Sequence, residues 1–219
     1  MNIAINKLSK YLEEIENIPK GSSLLFRGHT SLDYKLIPSI GRKNFYEGNL
    51  EKNERRIFKQ FKDSAPAFLK TIPKNDWEWL ALGQHYGLPT RLLDWTYNPL
   101  IALFFAVEKE HSEPSVVLAK KFIRIVDTEK QNPFEVTTVL KYTPPLISER
   151  ISAQGGCFTV HPNPAEEYAS AEIIRFIIES PSRRPIKQTL FKLGIRNRVV
   201  YPGLDGISKD LNWLNTKDY

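Results

Sequence analysis

The sequence predicts one α+β domain in which small mixed or antiparallel sheets form a cleft flanked by helices. Segments with helical spacing of apolar residues alternate with short segments rich in β-branched and aromatic residues. The 219 residues contain no internal repeat, low-complexity tract or linker, and this length suits one domain. We expect an N-terminal helix in residues 1–20, a core in residues 21–206, and a C-terminal helix and tail in residues 207–219.

The centre of the chain is its most informative part. A helix over residues 77–86 should end at Gly87, because glycine readily adopts the left-handed conformation that stops a helix. A strand over residues 90–96 follows. Asn98 and Pro99 then predict a second helix, with the asparagine as N-cap and the proline in the first turn, where its missing N–H is not needed. That helix is apolar on nearly every side, so it should be buried.

The remaining elements follow from the same two periodicities. Apolar residues three and four positions apart indicate helices, and alternation or a short apolar run indicates strands. The expected helices span residues 3–18, 47–69 (with a break at Pro66) and 185–193, and the expected strands include residues 23–29, 136–142, 157–160, 171–179 and 199–201. Residues 115–121 and 122–126 should form either a strand pair or one long strand.

Polar side chains stand at the ends of these elements, where a rigid scaffold can aim them into a cleft. Arg27 ends a strand just before Gly28. Arginine offers a planar fork for a carboxylate or phosphate, and glycine lets the backbone approach a ligand closely. With Gly28, the candidate ligand-binding residues are His29, Gln84, His85, Tyr86, Thr90, Arg91, Asp94, Trp95, Asn98 and Arg150.

Four segments carry a resemblance to a known family. They are Phe26-Arg27-Gly28, the run QHYGLPTRLLDWT at residues 84–96, the Asn98-Pro99 helix start and the run RISAQ at residues 150–154. In these segments the chain resembles the bacterial FRG-domain family, which is named for the first tripeptide, and the resemblance extends to about residue 206. It implies a toxin-like or phage-defence setting, and it does not imply a particular reaction.

A second resemblance concerns fold and mechanism. Mono-ADP-ribosyltransferases carry an arginine or histidine on one strand, a serine, threonine or tyrosine on a second, and a glutamate or glutamine on a later one, around a cleft for NAD. The order of Arg27, Thr96 and Gln154 is similar, which implies that these three are the catalytic residues. Arg27 would clamp phosphate or ribose, Trp95 or Tyr86 would stack on the nicotinamide, and Thr96 and Gln154 would orient ribose or amide.

The chain departs from the transferase pattern because it has no Ser-Thr-Ser triplet and, from Gln154 onward, no Glu-x-Glu. Glutamine is not a base, so a carboxylate would have to supply one. The acids considered for this role are Glu166, Glu167, Glu172 and Glu179. The resulting hypothesis is a cleft that binds a nucleotide-like molecule, with NAD as substrate, with ADP-ribosyl transfer or NAD hydrolysis as the reaction, and without a metal ion.

Other interpretations of the same polar residues stay open. His85 and Asp94 could act as base and orienter in a hydrolase, or His29, His85 and Asp94 could share a metal ion. The cluster could also be purely structural, with Arg91 and Asp94 as an internal ion pair, because buried charges are normally paired. Cys157 has no basic neighbour in its strand, so it should pack as a small apolar side chain.

The charge distribution raises a third class of function. The formal net charge is +6 and the pI is near 9.3. Residues 180–204 hold six cations and no acid, namely Arg183, Arg184, Lys187, Lys192, Arg196 and Arg198. Such a run is either a solvated surface or a footprint for a polyanion. Residues 183–198 could therefore bind a protein or nucleic-acid acceptor, or make the chain a non-catalytic nucleic-acid-binding or protein-interaction module.

Composition and the N-terminal sequence indicate the cellular compartment. The chain has no apolar run long enough for a membrane span, and its N-terminus lacks the layout of a signal peptide. The single cysteine excludes an intramolecular disulfide and fits a reducing environment. We expect a cytoplasmic protein that does not bind a membrane.

Overall fold

A computed structural model describes residues 1–19, 23–42, 48–109, 112–145 and 149–216. The strands are β1 (Asn2–Ile5), β2 (Leu24–His29), β3 (Leu92–Thr96), β4 (Ser115–Lys121), β5 (Leu140–Tyr142), β6 (Gly156–Val160) and β7 (Ile174–Ile178). The α-helices are α1 (Leu8–Glu16), α2 (Leu50–Ser64), α3 (Asp76–His85), α4 (Pro99–Val107), α5 (Glu149–Ala153), α6 (Ser180–Lys192), α7 (Asn197–Val200) and α8 (Leu204–Asn215). Among the described residues, no helix is both long and apolar enough to cross a membrane.

The described strands form one sheet in the order β1-β7-β4-β2-β3-β6-β5. β1 runs parallel to β7, and every other neighbouring pair is antiparallel. The predicted α+β class is therefore confirmed, with the described strands joined in a single mixed sheet.

Helices cover one face of the sheet in two groups. α1, α4, α6 and α7 share a core with β1, β2, β4 and β7, in which Phe104 and Phe176 are fully buried. α2, α3 and α5 share a second core with β3, β5 and β6, centred on Trp77 and Phe158. The opposite face is closed by loop residues such as Leu36, which packs with residues of β2, β3 and β4. A groove is left between the two helical groups, in front of β2 and β3.

Helix α4 confirms the prediction for the centre of the chain. Asn98 is its N-cap, with Oδ1 accepting from Leu100 N over 2.9 Å, and Pro99 lies in the first turn. The helix is buried on most of its surface, as its composition requires. It lies so close to β2 that a Cβ on Gly28 would come within 2.0 Å of the Ala102 carbonyl oxygen. Gly28 is thus required by the approach of two backbones.

Four expectations about the elements are wrong. The N-terminal segment is the short strand β1 followed by α1, because Asn2–Ile5 pairs with β7 at the distant end of the chain. Residues 199–201 belong largely to a helical turn, α7, rather than to a strand. The strand expected over residues 136–142 shortens to β5, and the strand expected over 122–126 shrinks to the single bridge of Ile125 with Lys141.

Helix boundaries also differ from the expectations. α6 begins at Ser180, five residues before the predicted start, and contains Pro185. α8 begins at Leu204, within the range expected for the core. The break at Pro66 is confirmed as a change from α2 to a 3-10 turn over Ala65–Phe68. The predicted start of this helix at residue 47 lies outside the described residues.

The sheet opens where β2 meets β3. These strands share one residue pair, Phe26 with Thr96, whereas β2 pairs with β4 over six residues and β3 with β6 over five. Beyond that pair the two strands separate, so their facing backbone groups need partners other than each other. Arg27 fills this gap: its Nη1 donates to the Asp94 carbonyl oxygen over 2.5 Å.

Candidate functional site

A cleft of about 520 Å³ lies where β2 and β3 separate, between α3 and α4. Its volume is in the range of small-molecule sites. The lining residues are Phe26, Arg27, Gly28, His29, Thr30, Tyr34, Arg42, Gln84, Asp94, Trp95, Thr96, Phe105, Glu108, Lys109, Arg150 and Gln154. The structure therefore brings Arg27, Thr96 and Gln154 to one cleft, together with most of the candidate ligand-binding residues.

Arg27 is fixed on two sides. Its Nε donates to His29 Nε2 over 2.9 Å, and its Nη1 lies 3.7 Å from Asp94 Oδ2 in addition to its bond with the Asp94 carbonyl. Burial lowers the pKa of Arg27, and Asp94 opposes that shift. The guanidinium still carries its charge, because arginine is not deprotonated in proteins. Within the part of the chain that the structure describes, Nη2 has no hydrogen-bond partner, so it remains available to a ligand in the cleft.

His29 serves Arg27 as a neutral acceptor. Its ring is buried, and burial together with the charges of Arg27 and Arg42 lowers the pKa of His29 to about 3. Because Nε2 accepts from Arg27, the ring proton resides on Nδ1. His29 thus orients the guanidinium without adding charge to the cleft.

Stability should fall in mild acid, because two buried histidines stay neutral in the fold. Burial lowers the pKa of His29 to about 3 and that of His161 to about 4, whereas the unfolded chain binds these protons near pH 6.5. The unfolded state therefore binds more protons below about pH 6.5, and the free energy of unfolding falls by up to about 1.4 kcal/mol per pH unit for each histidine. Chemical denaturation between about pH 6.5 and pH 5 should show this slope, and His29→Gln should make it shallower. An unchanged slope in His29→Gln would contradict a neutral His29.

The Asp94 carboxylate is held by a chain of hydrogen bonds. The Thr90 hydroxyl accepts from Leu92 N over 3.1 Å and donates to Gln84 Oε1 over 2.7 Å. The Gln84 amide is thereby oriented so that Nε2 donates to Asp94 Oδ2 over 2.9 Å. The Asp94 side chain is 59% exposed, so its carboxylate is both positioned and open to the cleft.

Arg91 does not line the cleft, and its predicted pairing with Asp94 is wrong. It forms a buried two-bond ion pair with Glu54, with Nε to Oε1 at 3.0 Å and Nη2 to Oε2 at 2.5 Å. Its Nη1 also donates to the Pro133 carbonyl, and the Phe134 ring lies against the guanidinium. Arg91 therefore ties α2 to the start of β3.

Four further candidates use their polar groups in hydrogen bonds within the protein. Trp95 is buried and donates from Nε1 to Thr159 Oγ1, so its ring is not available to stack on a ligand. The Thr96 hydroxyl donates to the Gln154 carbonyl, and the Gln154 amide donates to the Val200 carbonyl. The Asn98 side chain caps α4 and does not line the cleft. Thr96 and Gln154 thus join β3, α5 and α7 at the rim of the cleft.

His85, Tyr86 and Arg150 line a second chamber of about 860 Å³ next to the first. Burial, and then the charge of Arg150, lower the pKa of His85. Tyr86 is 69% exposed, and the Arg150 guanidinium lies 4.8 Å from the centre of the Tyr201 ring. The cleft and the second chamber share Arg150, Glu108 and Lys109.

Sequence reasoning missed Glu108, which is the second carboxylate of the cleft. It follows the last apolar residue of α4, and its Oε1 accepts from the Tyr201 hydroxyl over 2.8 Å. A charged residue directly after a buried helix was the available signal. The four glutamates proposed from the sequence, Glu166, Glu167, Glu172 and Glu179, do not line the cleft.

The hydrolase and metal interpretations lose their geometric basis. Asp94 bonds to Gln84 and Arg27 rather than to a histidine. Over the described ranges, no group of three or more histidine, cysteine, aspartate or glutamate residues is placed to hold a metal ion. Cys157 is buried, and burial raises the pKa of its thiol to about 12, so it packs as an apolar residue.

The basic run is not a uniform exposed surface. Arg183 and Lys187 are buried and donate to the carbonyls of Lys109 and Glu108, just past the end of α4. Cations are favourable there because carbonyl groups at a helix C-terminus lack helical partners. Arg196 and Arg198 lie near the buried carboxylate of Asp210, at 3.9 and 2.9 Å. Arg184 and Lys192 are exposed.

The fold and cleft define a class of protein: an α+β domain with a cationic cleft at an opening in its sheet. Residues 22–115 match the family model of the FRG domain. This match supports the resemblance carried by Phe26-Arg27-Gly28 and by residues 84–96. The match ends at the start of β4. Neither a curated protein nor a solved structure matches the sequence.

Proposed function

We propose that the cleft between β2 and β3 binds a dinucleotide, with NAD as the ligand and with ADP-ribosyl transfer or NAD hydrolysis as the reaction. The observation that carries this proposal is the fixed guanidinium of Arg27, which is presented at the opening of the sheet with Nη2 unused by the described residues. Consumption of NAD would suit the toxin-like or defence setting that the family resemblance implies.

The charges around the cleft suit a pyrophosphate. Arg27, Arg42, Lys109 and Arg150 line it, against the two acids Asp94 and Glu108. The Nη2 group of Arg27 can donate a charge-assisted hydrogen bond to a phosphate oxygen. Because Arg27 is already held by His29 and by the Asp94 carbonyl, little side-chain entropy is lost when a phosphate binds.

Asp94 is the group best placed to stabilise the reaction. When the bond between ribose C1′ and the nicotinamide nitrogen breaks, nicotinamide leaves with the bonding electron pair and the ribose becomes positively charged. A carboxylate positioned beforehand beside that charge lowers the barrier without reorganising in the reaction. Gln84 holds the Asp94 carboxylate in place, and water or another nucleophile then adds to C1′ and loses a proton.

Incubation of the purified chain with NAD should release nicotinamide and, in a transfer reaction, add the mass of ADP-ribose to protein or nucleic acid. Asp94→Asn should lower the rate by roughly 100-fold, because the amide keeps the shape of the side chain and loses its charge. Chromatography of nicotinamide and intact-mass spectrometry provide the two readouts.

Asp63→Asn is the matched control, since Asp63 is an exposed carboxylate paired with Lys59 on α2. This variant should release nicotinamide at the wild-type rate. A wild-type chain that releases none would refute the proposed reaction. Equal rates for Asp94→Asn and Asp63→Asn would refute the role given to Asp94.

A further inference from the structure

The second chamber is lined mainly by residues that do not line the cleft between β2 and β3, which we call the Arg27 cleft. It shares Arg150, Glu108 and Lys109 with the Arg27 cleft and is otherwise lined by residues that include Tyr86 and the first two turns of α8. At about 860 Å³ it is large enough for a ligand of nucleotide size in addition to a ligand in the Arg27 cleft.

Two cations converge on one ring in this chamber. Lys209 Nζ lies 3.8 Å from the centre of the Tyr201 ring, and the Arg150 guanidinium lies 4.8 Å from it. The ring attracts both cations, while the cations repel each other. A bound anion would bridge them and relieve that repulsion.

Carboxylates on the protein neutralise this pair only in part. Over the described part of the chain, Arg150 forms no ion pair with a carboxylate, and Lys209 lies 3.8 Å from Glu108 Oε1. The same oxygen already accepts from the Tyr201 hydroxyl over 2.8 Å, so Glu108 is shared between two partners. The other acid of the chamber, Asp205, is exposed at the first turn of α8. The chamber therefore presents a cationic pair to its interior.

An exposed aromatic side chain completes the chamber. Tyr86 is 69% exposed and packs edge-on against His85, with the ring centres 4.8 Å apart. Burial and Arg150 lower the pKa of His85, which favours its neutral form. An exposed ring beside a cationic groove is the combination that binds nucleobases by stacking while phosphates contact the cations.

We propose that the second chamber binds a nucleoside phosphate, with the phosphate on Arg150 and Lys209 and the base against Tyr86. A free mononucleotide and the phosphorylated end of a single-stranded nucleic acid present the same chemistry. This site is separate from the dinucleotide cleft and does not depend on cleavage of NAD. Glu108, Lys109 and Arg150 line both the second chamber and the Arg27 cleft. A nucleotide in the second chamber would therefore lie beside a ligand held by Arg27.

Calorimetric titration of the full chain with AMP tests the site. Lys209→Gln should weaken AMP binding by about tenfold, the effect of removing one charged hydrogen bond to phosphate. Lys141→Gln is the matched control, because Lys141 Nζ also lies against a tyrosine ring, 5.8 Å from the centre of Tyr97, but Lys141 lines neither the cleft nor the second chamber. It should bind AMP as tightly as the wild type does.

Two further titrations distinguish a mononucleotide from a nucleic-acid end as the ligand, and distinguish the second chamber from the Arg27 cleft. Tighter binding of a 5′-phosphorylated single-stranded oligonucleotide than of AMP, with the same loss in Lys209→Gln, would identify a nucleic-acid end as the ligand. Equal binding would identify a mononucleotide. Arg27→Met should retain AMP binding.

The proposal is overturned if Lys209→Gln binds AMP like Lys141→Gln does, or if Arg27→Met alone abolishes AMP binding. A wild-type chain that binds AMP through Lys209 but releases no nicotinamide would refute the NAD reaction and leave this site standing. The failures of the two proposals are therefore distinguishable.

Discussion

Replacing Arg91 by methionine is expected to lower the free energy of unfolding by about 3–5 kcal/mol. The Arg91 and Glu54 side chains are 3% and 1% exposed and form a two-bond ion pair. Removal of the guanidinium would leave the Glu54 carboxylate buried without its partner, and that uncompensated charge is the main cost. Urea denaturation at neutral pH measures the effect.

Arg55→Met is a matched control for this substitution. The Arg55 guanidinium lies 4.9 Å from the centre of the same Phe134 ring, but its partner Glu51 is 61% exposed. This variant should lose no more than about 1 kcal/mol. Combining Arg91→Met with Glu54→Leu should recover much of the loss, because neither charge then remains buried. A loss below about 1 kcal/mol in Arg91→Met would contradict the structural role given to this pair.

Arg27→Met is expected to weaken binding of NAD by roughly 2–5 kcal/mol, which corresponds to about 30-fold to several thousand-fold. Methionine fills much of the space of the arginine stem and removes the donors that would face the pyrophosphate. The variant should remain folded, because Arg27 contributes hydrogen bonds to His29 and to the Asp94 carbonyl but no fully buried ion pair. Calorimetric titration with NAD and urea denaturation report the two effects separately.

Arg124→Met provides the comparison for Arg27→Met. Arg124 is exposed outside the cleft, and its Nη1 donates a long hydrogen bond of 3.5 Å to Thr138 Oγ1. This substitution should leave both NAD affinity and stability unchanged. A loss of several kcal/mol of stability in Arg27→Met, with NAD affinity retained, would make Arg27 a structural residue only.

Local chemistry accounts for what the sequence predicted well. The N-cap of α4 depends on Asn98 and Pro99 alone, and the end of α3 depends on Gly87, whose φ is 88°. Burial of α4 follows from its composition. These features are set within a few residues, so they can be recognised without knowledge of the rest of the chain.

Features that depend on distant partners were missed. β1 is a strand only because it pairs with β7, which follows it by about 170 residues. Arg91 pairs with Glu54, which precedes it by 37 residues, rather than with Asp94, which is three residues away. Side-chain spacing along the chain does not reveal which of two acids an arginine will reach.

The same contrast between nearby and distant partners applies to the candidate site. The sequence indicated Arg27, Gln84 and Asp94. Gln84 lies near the end of α3, whereas Arg27 and Asp94 lie within β2 and β3, so the expectation that Arg27 ends its strand is wrong. It did not indicate that Thr96 and Gln154 would be engaged with backbone carbonyls, since those contacts involve α5 and α7, neither of which was expected as a helix. The burial of Arg183 and Lys187 in the basic run was not predicted for a related reason. The carbonyl groups to which they donate lie more than 70 residues away in the sequence.

The most direct test of the central claim is the melting temperature of the wild-type chain with and without ADP-ribose or NAD. A ligand present at about 100 times its dissociation constant adds about 2.7 kcal/mol to stability, which corresponds to a rise of roughly 5–11 °C for a domain of this size. A nucleotide-binding cleft at Arg27 predicts this rise in the wild type and its loss in Arg27→Met. An unchanged melting temperature with millimolar ADP-ribose and NAD, together with a rise on addition of an oligonucleotide, would contradict it.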